Sequence, residues 1–144
     1  MPARDHLHEH VRKALVSDGW TITHDPLRLR WGKKDVYVDL GAERFVGAQK
    51  GEIRIAVAIK SFAGPSPVDA LEKALGQVTL HHDLLAELEP DRALYLAVSD
   101  TTFTDIFEEG MGQLLLANGR LKLLVFTTDN EVIQRWTPGP PTVQ

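Results

Sequence analysis

The stretch IRIAVAIKSF, residues 53–62, decides how the rest of the chain is read. Ile53, Ile55, Val57 and Ile59 fall on one side of a two-residue period, and Arg54, Ala56, Ala58 and Lys60 on the other. That alternation predicts a β-strand that ends in a lysine. Buried strands keep charges at their ends, where water reaches them. Lys60 shares its face with Ala58, a methyl group where a carboxylate would make chemical sense.

Upstream, DVYVDLGAER (35–44) read as one strand places Asp35, Tyr37 and Asp39 on one face and Val36, Val38 and Leu40 on the other. If this strand neighbours 53–60, Asp39 sits beside Ala58 and Lys60. An acid on one strand and an acid-x-lysine on the next are the minimal parts of metal-assisted phosphodiester hydrolysis. Carboxylate oxygens hold a hard divalent cation, the cation activates water, and a lysine orients that water or offsets charge in the transition state. The pattern is short and common. In isolation Asp39 reads as a strand end before Gly41, and Lys60 as a side chain snorkelling into water.

The surrounding elements narrow the choice. Residues 4–19 carry Leu7, Val11, Ala14 and Leu15 at helical spacing and stop at Gly19. Residues 19–41 alternate, with turns at Asp25-Pro26 and Gly32-Lys33, and 44–62 continue the sheet across a turn near Lys50-Gly51. A long helix follows. Ser66 caps it, Pro67 opens it, Val68, Leu71, Leu75, Val78, His82 and Leu85 form its apolar stripe, and Pro90 closes it. ALYLAV (93–98) suits a strand buried on both faces. Thr101 or Thr102 caps a further helix through Leu116, ended by Asn118-Gly119. Residues 121–126 and 131–136 flank Thr128-Asp129-Asn130 as a hairpin. The expectation is an α/β fold, a mixed sheet flanked by helices in the order αβββαβ, then a helix and a β-hairpin. One domain is expected over 1–137, with a loose tail over 138–144.

Composition agrees with a single domain: 144 residues, 43% of them hydrophobic, are enough for one core. There is no cysteine, which removes disulfides and thiolate zinc sites. The start, MPARDHLHEH, lacks the apolar centre of a secretory signal, and no apolar run is long enough to span a bilayer. A soluble cytoplasmic protein with no membrane partner is expected. The net charge of −4 argues against a uniformly basic nucleic-acid binder. Its distribution does not: residues 28–60 hold eight Lys or Arg (28, 30, 33, 34, 44, 50, 54, 60) against four acids (35, 39, 43, 52). Residues 61–144 hold five basic against twelve acidic side chains. A phosphate-facing segment with an acidic remainder fits that asymmetry, as do ordinary solvated strand edges. Trp31, set among Arg28, Arg30, Lys33 and Lys34, suits stacking on a base, or packing under lysine stems.

The segments MPARDHLHEHVRKALVSDGWTITHDPLRLRWG, YVDLGAER, IAVAIKSFAGPS, ALGQ and LYLAV together resemble the XisH family, the fdxN element excision controlling factors, up to Trp136. The element order resembles the PD-(D/E)xK nuclease core. The resemblance implies a metal-dependent endonuclease-type protein that acts on DNA with an XisI-like partner and uses Mg²⁺ or Mn²⁺. It carries over Asp39 as the first metal-binding acid, the carbonyl of Ile59 as a backbone metal ligand and Lys60 as the catalytic lysine. Glu9 matches the acid of the first helix. Gln77 matches the glutamine of the helical Q-x-x-x-Y element, with His81 where the tyrosine is expected. Arg28, Arg30, Lys33, Lys34 and His81 are the expected DNA-facing residues. A homodimer is expected if a domain this small cuts two strands.

Ala58 is the departure. Sequences of this kind resemble VEIKSF here, with glutamate as the second metal ligand, so this chain is expected to be nearly or wholly inactive as a nuclease. A deliberate substitution to trap substrate and a natural copy that no longer cleaves both fit, and the intact Asp39, Lys60, Glu9 and Gln77 favour the first. Glu43 and Glu52 are poorly placed to replace the lost acid. Two other roles are kept open: a non-catalytic partner-binding module, and a toxin-like nuclease restrained by its partner. His6 and His10 share a helix face without a third ligand and read as surface residues. His82 reads as a core histidine, and His81 as the outward one, sharing a face with Gln77.

Overall fold

A computed structural model describes residues 6–49 and 51–142; residues 1–5, Lys50 and residues 143–144 lie outside the described residues, and with them the first residues of the expected N-terminal helix and part of the expected turn at Lys50-Gly51. The chain runs α1 (His8–Ser17), β1 (Thr21–His24), β2 (Leu27–Trp31), β3 (Lys34–Val38), β4 (Leu40–Gly47), β5 (Gly51–Ile59), α2 (Pro67–Leu88) and β6 (Arg92–Ser99). Then come α3 (Asp100–Thr102), a π-helical turn (Phe103–Phe107), α4 (Gly110–Ala117), β7 (Leu123–Phe126) and β8 (Ile133–Thr137). The expected mixed α/β architecture stands, with five strands ahead of the long helix. No helix among the described residues is long and apolar enough to cross a membrane.

Six strands form one sheet in the order β1-β4-β5-β6-β7-β8, while β2 and β3 pair with each other alone. β5 lies antiparallel to β4 and parallel to β6, and β6 lies parallel to β7. The parallel pairs require crossovers: α2 makes the first, and residues 100–117 make the second.

The alternation of β5 divides the interior into two cores. Ile55, Val57 and Ile59 pack with Leu7, Val11, Ala14, Leu15 and Trp20 under α1. Ala56 and Ala58 face the opposite way, with Leu71, Ala74, Val78 and Leu85 of α2 and the inner side of the β2–β3 hairpin, Leu27, Leu29 and Val38. Small side chains at 56, 58 and 74 let helix and sheet approach closely. Ser66 caps α2 as expected, its hydroxyl accepting from the Asp69 amide; such a cap contributes about 1 kcal/mol.

Three local expectations are corrected. The buried stripe of α2 is Leu71, Ala74, Val78, His81, Leu84 and Leu85, so Val68 is exposed and the core histidine is His81, not His82. A stripe stepping through 74, 78, 81 and 85 turns 81 inward and swings 82 into water. The helix after β6 is capped by Ser99, whose hydroxyl accepts from the Thr102 amide, rather than by Thr101 or Thr102. That helix is also interrupted by the π-helical turn. Gly112 packs so tightly on that turn that a β-carbon there would overlap the Ile106 carbonyl oxygen.

The reading of 35–44 as one strand is corrected too. The chain bends at Asp39, leaving the two-stranded sheet after Val38 and entering the main sheet at Leu40. Val38 belongs to the core under α2 and Leu40 to the core under α1.

Candidate functional site

That bend positions Asp39. Val38 pairs with Leu27 in the hairpin, and Leu40 pairs with Val57 in the main sheet. One further step in the antiparallel register carries Asp39 opposite Ala58. There its Oδ2 accepts the backbone N–H of Ile59 at 2.7 Å. The carboxylate thus takes over the ladder bond that β4 no longer makes, and a charge-assisted bond of this kind is among the stronger ones in a fold. On the other side of β5 the Lys60 amide donates to the Ala97 carbonyl of β6. In an extended chain the N–H and C=O of one residue project the same way, so the Ile59 carbonyl also faces Asp39 rather than β6. Lys60 continues the alternation onto the Ala56 and Ala58 side and is half-buried.

The loop after Lys60 is held firmly. Phe62 adopts φ +56°, a region that non-glycine residues enter at a cost. Its ring sits edge-on to Phe107 at 5.8 Å between centroids. The hydroxyl of Thr102 donates to the Ser61 carbonyl at 3.4 Å. Asp39, Ile59, Lys60 and this loop therefore gather at the carboxyl ends of the parallel strands β5 and β6, the place where open α/β sheets carry their sites.

Two residues near this place were not read from the sequence. His8 is buried and its Nε2–H donates to Asp25 Oδ1 at 2.8 Å, while Arg12 lies 3.6 Å from Asp25 Oδ2. Because His24 pairs with Gly41 and Leu27 with Val38, Asp25 lies on the stretch facing the Asp39 bend. The start of α1, with the exposed Glu9 beside His8, is pinned there. The signal was available: His8, Val11 and Leu15 share an apolar stripe at helical spacing. His10 bonds Glu131 at 3.0 Å.

Gln77 is exposed near the middle of α2. Its neighbour Val78 lines a cavity of about 440 Å³ with Arg92 and Leu94 at the start of β6, the far end of the sheet. His81 is buried, its Nδ1 has no hydrogen-bond partner among the described residues, and burial pulls its pKa below the ordinary value. Glu43 is also at the far end, 3.4 Å from Arg54, and Glu52 stands next to it. Neither reaches the position of the missing acid.

The hairpin of β2 and β3 carries the remaining candidates. Arg28, Arg30, Lys33 and Lys34 are all exposed. Arg28 is committed to Asp35 at 3.0 Å, and Arg30 donates to the Gly32 carbonyl.

As a metal site the arrangement is incomplete. Asp39 offers one carboxylate and Ile59 one carbonyl, and the third place in the set is the methyl group of Ala58, only 6% exposed. Among the described residues no three His, Cys, Asp or Glu side chains are placed to hold a metal ion. A hard dication needs about six oxygens, with more than one from the protein's acids when substrate does not supply the rest. The residues present do not make a resident cage for Mg²⁺ or Mn²⁺.

With the fold and this geometry in hand, comparison places the chain. No curated protein matches it. Two crystal structures match closely. An XisH family protein from Nostoc punctiforme PCC 73102 is 35% identical, with a TM-score of 0.81 over 92% of this chain and 98% of its own. An fdxN element excision controlling factor protein from Anabaena variabilis is 38% identical, with the same TM-score and coverage. The family model described as XisH protein matches residues 1–134, and the chain belongs to the XisH family.

Proposed function

We propose that the chain is an excision factor of nuclease type, built to engage DNA and an XisI-like partner, whose hydrolytic site lacks one acid and does not cut as written. The relative from Anabaena variabilis is a controlling factor for excision of the fdxN element, which supplies the process. The observation that carries the reading is the bond from the Ile59 amide to Asp39, which sets an acid across from Ala58 and one residue short of Lys60. In a complete site a divalent cation would supply activated water and offset charge on the scissile phosphate. This chain's own residues do less. Asp39 fixes the end of β5, Lys60 offers a cation to a phosphate, and the loop that follows Lys60 is anchored by Phe62 on Phe107 and by Ser61 on Thr102. Glu9 and Gln77 are assigned supporting roles on the family resemblance alone.

The test is Ala58→Glu. A glutamate at this buried position costs about 2 kcal/mol without a divalent ion, since an unpaired buried carboxylate is penalised. Millimolar Mg²⁺ or Mn²⁺ should recover most of that loss in thermal melting and bring Mg²⁺-dependent cleavage of DNA. A variant that melts identically with and without the ion, binds DNA and never cuts would defeat the nuclease reading. The partner-binding module would then be favoured, and co-purification of the unaltered chain with an XisI-like protein supports that role directly. Growth arrest by the restored variant, relieved by the partner, would mark the toxin-like form.

A further inference from the structure

We propose that the tip of the β2–β3 hairpin is a stacking platform for unpaired bases of DNA, with Trp31 as the stacking side chain. This rests on the DNA-binding reading above and deepens it by naming the form of DNA. The three tryptophans are treated differently by the fold. Trp20 is buried, lies 5.9 Å from Trp136 and sits under the guanidinium of Arg44. Trp136 also meets Tyr95 edge-on at 4.9 Å. Trp31 is 52% exposed and, among the described residues, has neither a ring nor a cation against it. The hairpin does not need its indole for packing, because Leu27, Leu29 and Val38 already seat the ribbon on the core.

What surrounds Trp31 fits a nucleic-acid strand. Lys34 is its cross-strand partner, Lys33 lies in the turn, and Arg30 precedes it. The hairpin's one carboxylate, Asp35, is occupied by Arg28. The positive charge at the tip is therefore left for an outside anion, and phosphates spaced along a strand match it. Gly32, next to the indole, takes φ +61°, and nothing lies within 4 Å of where a side chain would stand. A flat base can approach the tip without meeting a wall.

The aromatic face selects unpaired DNA. Stacking uses the flat face of a base, and in a duplex both faces are taken by neighbouring bases. An unpaired base offers its face without the cost of breaking a pair. A cationic groove tracking the backbone, with an aromatic for the bases, is how single strands are held without sequence readout.

The experiment uses the unaltered chain, a 20-nucleotide oligo-dT and a 20-base-pair duplex, titrated by fluorescence anisotropy at two salt concentrations. The single strand should bind more tightly. Trp31→Ala should weaken it about ten-fold or more while changing the melting temperature little, as the residue is half exposed and outside both cores. Lys33→Gln with Lys34→Gln should flatten the salt dependence for both DNAs. Duplex bound as tightly as single strand, with Trp31→Ala neutral, overturns the stacking platform and leaves DNA binding standing. Absence of binding to either DNA overturns the DNA reading itself.

Discussion

The two ends of the neighbouring strands β5 and β6 handle charge in opposite ways. At their start, Arg54 stands directly across from Arg92, a like-charged pair that by itself would destabilise the sheet. The fold surrounds it with acids. Arg92, its side chain 2% exposed, donates to the Ile55 carbonyl at 2.9 Å and to Glu89 at 3.0 Å, and lies 3.9 Å from Glu43. Glu43 in turn sits 3.4 Å from Arg54. At their finish the strands carry Asp39 and Lys60 around a methyl group, with one backbone amide satisfying one carboxylate oxygen. One end uses charge to close the structure. The other is where the proposed site lies.

The contrast can be broken most strongly at the closed end. Arg92→Ala removes a buried cation, takes a hydrogen bond from the Ile55 carbonyl and leaves Glu43 and Glu89 without that cation, and should cost about 3 kcal/mol in urea unfolding. A loss within experimental error would mean that the cluster is ornamental. At the open end Asp39→Ala should cost about 2 kcal/mol, the value of a charge-assisted bond to the Ile59 amide, while Asp39→Asn, which keeps an acceptor, should lose less than half of that. Equal losses in the two variants would show that the bond is not what Asp39 contributes.

Acid titration sharpens the picture further. Burial holds His81 below the ordinary value near 6.5, so the folded state resists its protonation. Stability from this source is complete above pH 6.5 and is lost as pH falls through the lowered value. His81→Leu should remove that acid-side decline in a series of melts from pH 7.5 to pH 5. The smallest effect is expected at Glu52, whose carboxyl is pushed above its ordinary 4.5 chiefly by a hydrogen bond with Glu43 and by its charge. Its favourable contribution is present below that ordinary value and is lost as pH rises through the raised one. Glu52→Gln should therefore match the unaltered chain at low pH and exceed it slightly at pH 7. The opposite order would remove Glu52 from the cluster.

Much of this was visible in one dimension because local rules governed it. The two-residue alternation in 53–60 assigned Ile55, Val57 and Ile59 to one core and Ala56 and Ala58 to the other, as found. Ser66-Pro67 marked the start of α2 through capping chemistry that needs only neighbouring residues. The errors arose where two faces competed. Val38 and Leu40 share a parity, yet they enter opposite cores, because the chain changes sheets between them. His81 and His82 differ by one residue, and a small rotation of α2 about its axis chooses which is buried. Arg92 was not singled out, since nothing in the neighbouring sequence announces that Glu43 arrives beside it from β4.

By itself the sequence determined the alternating strand that carries Ala58 and Lys60, the helix that crosses back from it, and the excess of cations between residues 28 and 60. These depend on periodicity, capping and composition, which are properties of neighbours along the chain. Only the tertiary structure decided that Asp39 bonds the Ile59 amide, that His8 and Asp25 pin the first helix beside it, and that Trp31 is left half exposed. Each of those depends on which distant segments pack together, and side-chain contact across a sheet is fixed by strand register rather than by spacing in the chain.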